Sequence, residues 1–346
     1  MSDIMDKMKK IGSIKSSDVL SHSKFFNNKD MVTTSSPALN IALSGSIDGG
    51  LTPGLTFLAG PSRTFKTCMG LKMVAAYLNK YPESMCIFYD SEFGVTPEYL
   101  TQMGVDTERV LHVPIEDVEQ FKFDIMQKLK EVVLGDKIIF FVDSIGNLAS
   151  KKEVDDALSG NTAADMTRSK QMKSCFRMIT PHLTTKDIPM IAVNHTYSTM
   201  ELYSKQVMSG GTGPMYSANT VFIISRAQEK DKDNELEGFT FTINIEKSRF
   251  VKEKAKIPLT VRFEDGIDRY SGILDIALEG GFIIQPTKQT YQLTSNQKLP
   301  AVKKKNVEPL LDEVLKDAKF AKYIENKYKM TGIQQITTKK DEEDDE

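Results

Sequence analysis

The chain is poor in what membranes, disulfides and metal clusters need. Across its 346 residues no apolar run approaches the ~20 residues of a bilayer-spanning helix. The opening stretch MSDIMDKMKKIGSIK has no long apolar centre, so no secretory signal is expected. There are three cysteines, Cys68, Cys86 and Cys175, too scattered for a disulfide framework or a zinc spacing. They suit a reducing cytoplasm, of the host cell if the protein is viral. The four histidines, His22, His112, His182 and His195, are equally dispersed, which argues against a histidine metal site. Excess charge is missing too: the net value is −2, so any contact with nucleic acid must rely on local basic segments. What remains is an ordinary soluble composition, 40% apolar and 27% charged, long enough for one sizeable core with smaller attachments.

Three regions follow from patterning. Residues 1–30 read as an oligomerisation arm. Ile4, Met5, Met8 and Ile11 keep helical spacing, and Phe25 and Phe26 in SKFFNNKD either fold back on the core or dock on a neighbouring subunit. Residues 31–284 alternate short apolar strands with helical stretches. Strands are predicted at 55–59, 85–90, 110–113, 138–142, 190–194 and 221–225, and helices at 66–80, 96–104, 116–133 and 166–180. IIFFV at 138–142 is apolar on both faces, as in a central parallel strand, so an α/β domain with a mostly parallel sheet is expected. FTFTINI (239–245) and IPLTVRF (257–263) alternate with period two and predict an antiparallel hairpin, joined by the basic EKSRFVKEKAK. In 285–346 one amphipathic helix is predicted over 307–328, with Leu310, Leu311, Val314, Leu315, Ala318, Ala321 and Tyr323 near one face. The acidic end, KKDEEDDE, reads as a solvated, disordered tail.

The stretch LAGPSRTFKTCMG carries the chemistry. Gly60, Lys66 and Thr67 fit the phosphate-loop pattern G-x-x-x-x-G-K-[ST], but Phe65 stands in place of the second glycine. A strand runs into the loop and a helix runs out. That order aims the N–H groups of Gly60, Ser62, Arg63, Thr64 and Phe65 and the helix N-terminus at one anion, with Pro61 a part of the loop that has no N–H to donate. Lys66 is expected to reach the β- and γ-phosphates, with the Thr67 hydroxyl and Asp143, at the end of KIIFFVDS, holding Mg²⁺. Glu92, just past CIFYD, supplies a base or water-orienting group. Strand ends on the carboxyl edge of a parallel sheet are where ligands bind, so a nucleoside triphosphate site is expected. Left-handed backbone costs a non-glycine residue ~1–2 kcal/mol, so Phe65 is predicted to keep negative φ, its ring packed beside the loop.

In order, GPSRTFKT, YDSEFGVTPEYL, VDSIGNLASKK, NHTYSTMELYSKQVMSGGTGPMYSA and INIEKSR resemble a RecA-type recombinase over roughly residues 30–285. The phosphate-loop phenylalanine, SKFFNNKDMV, SGGTGPMYSA and EKSRFVKEKAK look most like the UvsX-type branch of T-even-type phages. The resemblance implies a RecA-type P-loop ATPase core using ATP and Mg²⁺, with Glu92 as catalytic glutamate, Tyr99 stacked on adenine and Phe263 covering it from another side. His195 stands where bacterial members carry a glutamine that senses the γ-phosphate; the plainer reading is a strand-end histidine bonded to backbone. Lys247 and Arg249 match a basic pair that reaches the next subunit's ATP. Two loops, about 150–168 and 196–212, are implied to touch DNA through Lys151, Lys152, Arg168, Tyr197, Lys205 and Met208, with Gly210, Gly211 and Gly213 giving a flexible return; the alternative for the cations is a solvated surface. The implied activity is DNA-dependent ATP hydrolysis coupled to homologous pairing and strand exchange by helical filaments on single-stranded DNA, in recombination, repair and recombination-dependent replication. Implied partners are single- and double-stranded DNA, further copies of the chain, a single-strand-binding protein and a recombination mediator, with no membrane. A RecA-core hexameric helicase, a P-loop small-molecule kinase and a non-hydrolysing adaptor are the rival readings. UvsX-type chains carry a longer C-terminal region, so the resemblance leaves the final helix and acidic tail open.

Overall fold

The apolar runs become strands of one sheet, inner ones except for VLHV, which forms a partly exposed edge. A computed structural model describes residues 2–14, 17–22, 30–160, 166–199, 206–230, 236–262, 266–267, 269–297 and 300–330. Its strands are β1 Gly54–Gly60, β2 Met85–Asp90, β3 Val110–Pro114, β4 Ile138–Asp143, β5 Pro189–Ser198, β6 Gln206–Met208, β7 Thr220–Lys230, β8 Leu236–Ser248, β9 Lys256–Arg262 and β10 Gly266–Ile267. The order across the sheet is β10-β9-β8-β7-β1-β5-β4-β2-β3, with β6 paired to β5 alone. From β7 through β1 to β3 neighbours run parallel; from β7 out to β10 they run antiparallel. The expected hairpin is therefore β8–β9, with Phe241 opposite Leu259. The β7 strand is longer than its apolar run because its outer half pairs with β8 rather than with the parallel centre.

Helices cover both faces, which is why IIFFV needs no polar side. They are α2 Pro37–Ser44, α3 Lys66–Lys80, α4 Pro97–Gln102, α5 Val118–Glu131, α6 Lys151–Ser159, α7 Thr167–Thr185, α8 Thr212–Ser217 and α9 Ile273–Glu279. Phe141 turns to one core with Leu58, Met69 and Val74; Phe140 turns to the other with Phe57, Phe121 and Phe176. Fully burying each such side chain contributes about 1.5–3 kcal/mol. At Gly70 of α3 an added Cβ would sit 2.4 Å from the Phe141 ring, so this glycine sets how closely helix and sheet approach. Among the described residues no helix is long and apolar enough to cross a membrane.

Past β10 the chain adds a small sheet, β11 Ile283–Thr287, β12 Thr290–Leu293 and β13 Val302–Lys303, and then two helices. The single helix expected over 307–328 is divided into α10 Glu308–Lys316 and α11 Ala318–Tyr328. Asp317 is the reason: its backbone is extended, and its carboxylate accepts the Lys319 N–H as the N-cap of α11. The break rotates the second half, so Ala318 is exposed while Phe320, Ile324 and Tyr328 are buried. The acidic tail lies outside the described residues.

Residues 1–30 form a separate unit. Its helix α1, Ser2–Ile11, exposes Ile4, Met5, Met8 and Ile11, with Lys9 and Lys10 in the last turn where cations suit the helix dipole. Phe25 and Phe26 fall outside the described residues.

Candidate nucleotide site

The phosphate loop lies between the end of β1 and the start of α3. Gly60 cannot carry a side chain here: an added Cβ would meet the Ile224 carbonyl oxygen at 2.6 Å. Phe65 departs from expectation, with φ 56° and ψ 28°, inside the left-handed region; Arg63 is also there, at φ 61°. Each costs about 1–2 kcal/mol without glycine. The Phe65 ring packs as anticipated and offsets part of that cost. It stands edge-on to the buried Phe241, centroids 5.3 Å apart, a contact worth about 0.5–1.5 kcal/mol beyond burial. Within the loop the Thr64 hydroxyl donates to the Pro61 carbonyl, 2.9 Å. Lys66, only 6% exposed, donates from Nζ to the Pro61 carbonyl at 2.8 Å. Burial lowers its pKa, opposed by the nearby carboxylates of Glu92 and Asp143.

The carboxylates come from strand ends that lie side by side, Asp90 of β2 being paired with Asp143 of β4. Asp143 Oδ2 accepts the Thr67 hydroxyl at 2.6 Å, while its Oδ1 is buried without a hydrogen-bond partner. Burial pushes this carboxyl up to about 6, against the stabilising Thr67 hydroxyl. A buried, half-satisfied carboxylate beside a hydroxyl suits a hard divalent cation, so the residues expected to hold Mg²⁺ fit it. Asp90 is buried and shapes the next turn: its Oδ1 accepts the N–H groups of Glu92 and Phe93 at 3.0 and 2.8 Å. Ser91 ties β2 to β4 by donating its hydroxyl to the Ser144 carbonyl, 2.6 Å.

His195 of β5 pairs in register with Gly60, beside the loop. Its ring reaches a carboxylate instead of backbone. Nε2–H donates to Glu92 Oε1 at 3.0 Å, with the Ser144 hydroxyl 3.5 Å away. That hydrogen bond holds the Glu92 carboxyl below the usual carboxylate range.

Together these groups face one cavity of about 490 Å³, lined by Ser62, Arg63, Thr64, Phe65, Lys66, Thr67, Cys68, Glu92, Tyr99, Asp143, Val193, His195, Arg226 and Phe239. Tyr99, on α4, is on its wall, and burial pushes its hydroxyl up to about 12. Gly60 and Pro61 shape the loop without lining the cavity. Arg226 and Phe239 were not anticipated. They belong to the antiparallel extension, and only the pairing of β7 with β1 carries them to the loop. Phe263 lies outside the described residues.

The remaining expected site residues sit elsewhere. Lys151 and Lys152 are exposed on α6, a helix where a loop was anticipated; Ser150 and Glu153 form a capping box that starts it. Lys152 pairs with Asp156 one turn on. Arg168 is not free for a ligand: its guanidinium donates to the carbonyls of Ile145, Gly146 and Leu148. Tyr197 is 55% exposed, whereas Met208 is 4% exposed and packed in the core. Gly210 and Gly211 adopt φ of 89° and 77° at the turn into α8, a backbone region that glycine enters at no steric cost. Lys205 lies outside the described residues. Lys247 donates to the carbonyls of Met215 and Tyr216 at 3.0 and 2.9 Å, closing the end of α8, and Arg249 is exposed.

A phosphate loop feeding a helix, with acids on neighbouring strand ends and an antiparallel extension on one side, defines a P-loop nucleotide-site core. Residues 3–268 match the family model of the RecA N-terminal domain, and the chain belongs to the RecA family of recombinases. It is 54% identical over 291 residues to the recombination and repair protein of Enterobacteria phage T4 (UvsX), an alignment covering 84% of this chain and 74% of that protein. The RecA protein of Arthrobacter sp. (strain FB24) is 26% identical over 262 residues, 73% of this chain and 70% of its own length. That of Paracoccus denitrificans is 24% identical over 258 residues, 73% and 69% respectively.

Proposed function

We propose that this recombinase is a DNA-dependent ATPase that coats single-stranded DNA as a helical filament and exchanges strands with homologous duplex. The observation that carries the reading is the convergence of Lys66, Thr67, Asp143 and Glu92 on one cavity at the carboxyl edge of the sheet. The loop N–H groups, the α3 N-terminus and Lys66 bind the polyphosphate. Thr67 and Asp143 hold Mg²⁺, which when bound offsets phosphate charge. Tyr99 stacks on the adenine, and Phe263 covers its other side. Glu92 orients the attacking water and takes its proton; a bond forms from water oxygen to the γ-phosphorus, and the bond to the β,γ-bridging oxygen breaks with its electron pair leaving on ADP. The Nε2–H of His195 fixes the Glu92 carboxylate during that step. Lys247 and Arg249 act on the ATP of the adjacent copy; the absence of both from this chain's own cavity lining supports that reading.

Lys151, Lys152, Tyr197 and Lys205 are the DNA contacts in this reading, with Arg168 supporting the loop behind them. The arm at 1–30 links copies of the chain. A single-strand-binding protein and a loading mediator are partners, and the setting is recombination, repair and recombination-dependent replication in the cytoplasm.

The test compares unmodified protein with Lys66→Ala in strand exchange and in ATP turnover with and without single-stranded DNA. Turnover stimulated by DNA in the unmodified protein, and lost by about 100-fold or more in the variant, is expected. Exchange that survives the substitution contradicts the phosphate role of Lys66. Electron microscopy with single-stranded DNA and a non-hydrolysable ATP analogue is expected to reveal open filaments; closed rings would favour a hexameric motor.

A further inference from the structure

The phosphate loop holds two L side chains in left-handed backbone, Arg63 and Phe65, without the glycine that would relax either. Both residues are gripped from outside, and by the same hairpin. Arg226 of β7 donates from Nη1 to the Arg63 carbonyl at 3.3 Å. Its guanidinium lies over the Phe239 ring of β8, 4.7 Å from the centroid. Phe239 in turn neighbours Phe241, centroids 6.2 Å apart, and Phe241 receives the Phe65 ring. The contacts close a circuit: loop carbonyl, guanidinium, two rings of β8, loop ring. Arg63, Phe65, Arg226 and Phe239 all line the nucleotide cavity.

From this circuit we infer that Arg226, braced on Phe239, is a positioning residue that clamps the phosphate loop in its nucleotide-binding conformation. The inference rests on the nucleotide reading of the cavity. A planar guanidinium can stack on a ring and donate in its own plane at once; a lysine ammonium keeps the charge but cannot do both in one geometry. The clamp acts on the loop backbone before any chemical step, so it governs binding and leaves the bond-breaking step to Glu92 and its neighbours.

The experiment measures equilibrium binding of a fluorescent ATP analogue, steady-state turnover and melting temperature for the full chain and for Arg226→Ala, Arg226→Lys and Phe239→Leu. Arg226→Ala is expected to weaken binding and raise KM about tenfold, with kcat within about twofold. Arg226→Lys is expected to stay close to Arg226→Ala, and Phe239→Leu to fall between them and the unmodified chain. Because Arg226 is exposed, its variants are expected to melt like the unmodified protein. Unchanged affinity in Arg226→Ala overturns the clamp, and full recovery in Arg226→Lys overturns it in favour of simple charge. Failure of the unmodified chain to bind the analogue overturns the nucleotide reading itself, along with the clamp.

Discussion

Phe65 shows how a residue can break a motif and keep its geometry. Glycine at the loop's turn is replaced by a ring that accepts left-handed backbone and gains a core contact with Phe241. Two opposing consequences follow. Phe65→Ala keeps the strain and loses the ring, so it should cost about 2 kcal/mol. Phe65→Gly loses the ring but relieves the strain, so it should cost clearly less, reversing the usual preference for alanine over glycine. Urea denaturation of both variants checks the order. Glu92 carries a second residue-scale prediction. Its folded pKa is depressed by the His195 hydrogen bond, so the stability this contact adds is present above the usual value of 4.5 and is lost as pH falls through the folded pKa. The gap in melting temperature between unmodified protein and Glu92→Gln should therefore narrow as the medium is acidified below pH 4.5. The motif residues were legible because their chemistry demands their types and spacing. The sign of φ at Phe65 was not, since the ring that steadies it belongs to a strand far along the chain.

Elements were read best where one physical pattern spoke alone. IIFFV, apolar throughout, is a central strand, and KTCMGLKMVAAYLNK is α3 from Lys66 to Lys80. Readings failed where a cap outweighed periodicity. Asp317 divides a continuous apolar stripe into α10 and α11, and the Ser150–Glu153 box turns an apparent loop into α6. The helix α2 leaves no amphipathic mark in the sequence: Pro37 opens it and Gly45 closes it, but its eight buried residues present no polar face. Arg226 and Phe239 could not be read as site residues because β7 switches from parallel to antiparallel neighbours, and that switch leaves no local mark. The close approach of α3 to β4 gives a prediction at this scale. Gly70→Ala, normally favourable by about 1 kcal/mol in a helix, should here destabilise by about 1–3 kcal/mol, because the new methyl group meets the Phe141 ring. Chemical denaturation at neutral pH checks the sign.

At the scale of the whole molecule, the proposed reading divides the cations that act on one nucleotide between two copies of the chain. Lys66 is inside the cavity, whereas Arg249 is exposed past the end of β8 and lines nothing there. A head-to-tail array would bring the exposed arginine of one copy to the cradle of the next, and an array that does not close grows as a helix. On this account nucleotide binds at a junction, and the state of the nucleotide sets how firmly neighbouring copies hold together. The most direct measurement mixes two defective proteins. Lys66→Ala lacks the cradle and Arg249→Ala lacks the reaching cation, so each alone should turn over ATP poorly on single-stranded DNA. Mixed in equal amounts, random assembly leaves about a quarter of junctions with both parts intact, and turnover should recover to about that share of the unmodified rate. A mixture no more active than the average of its two components would contradict the account.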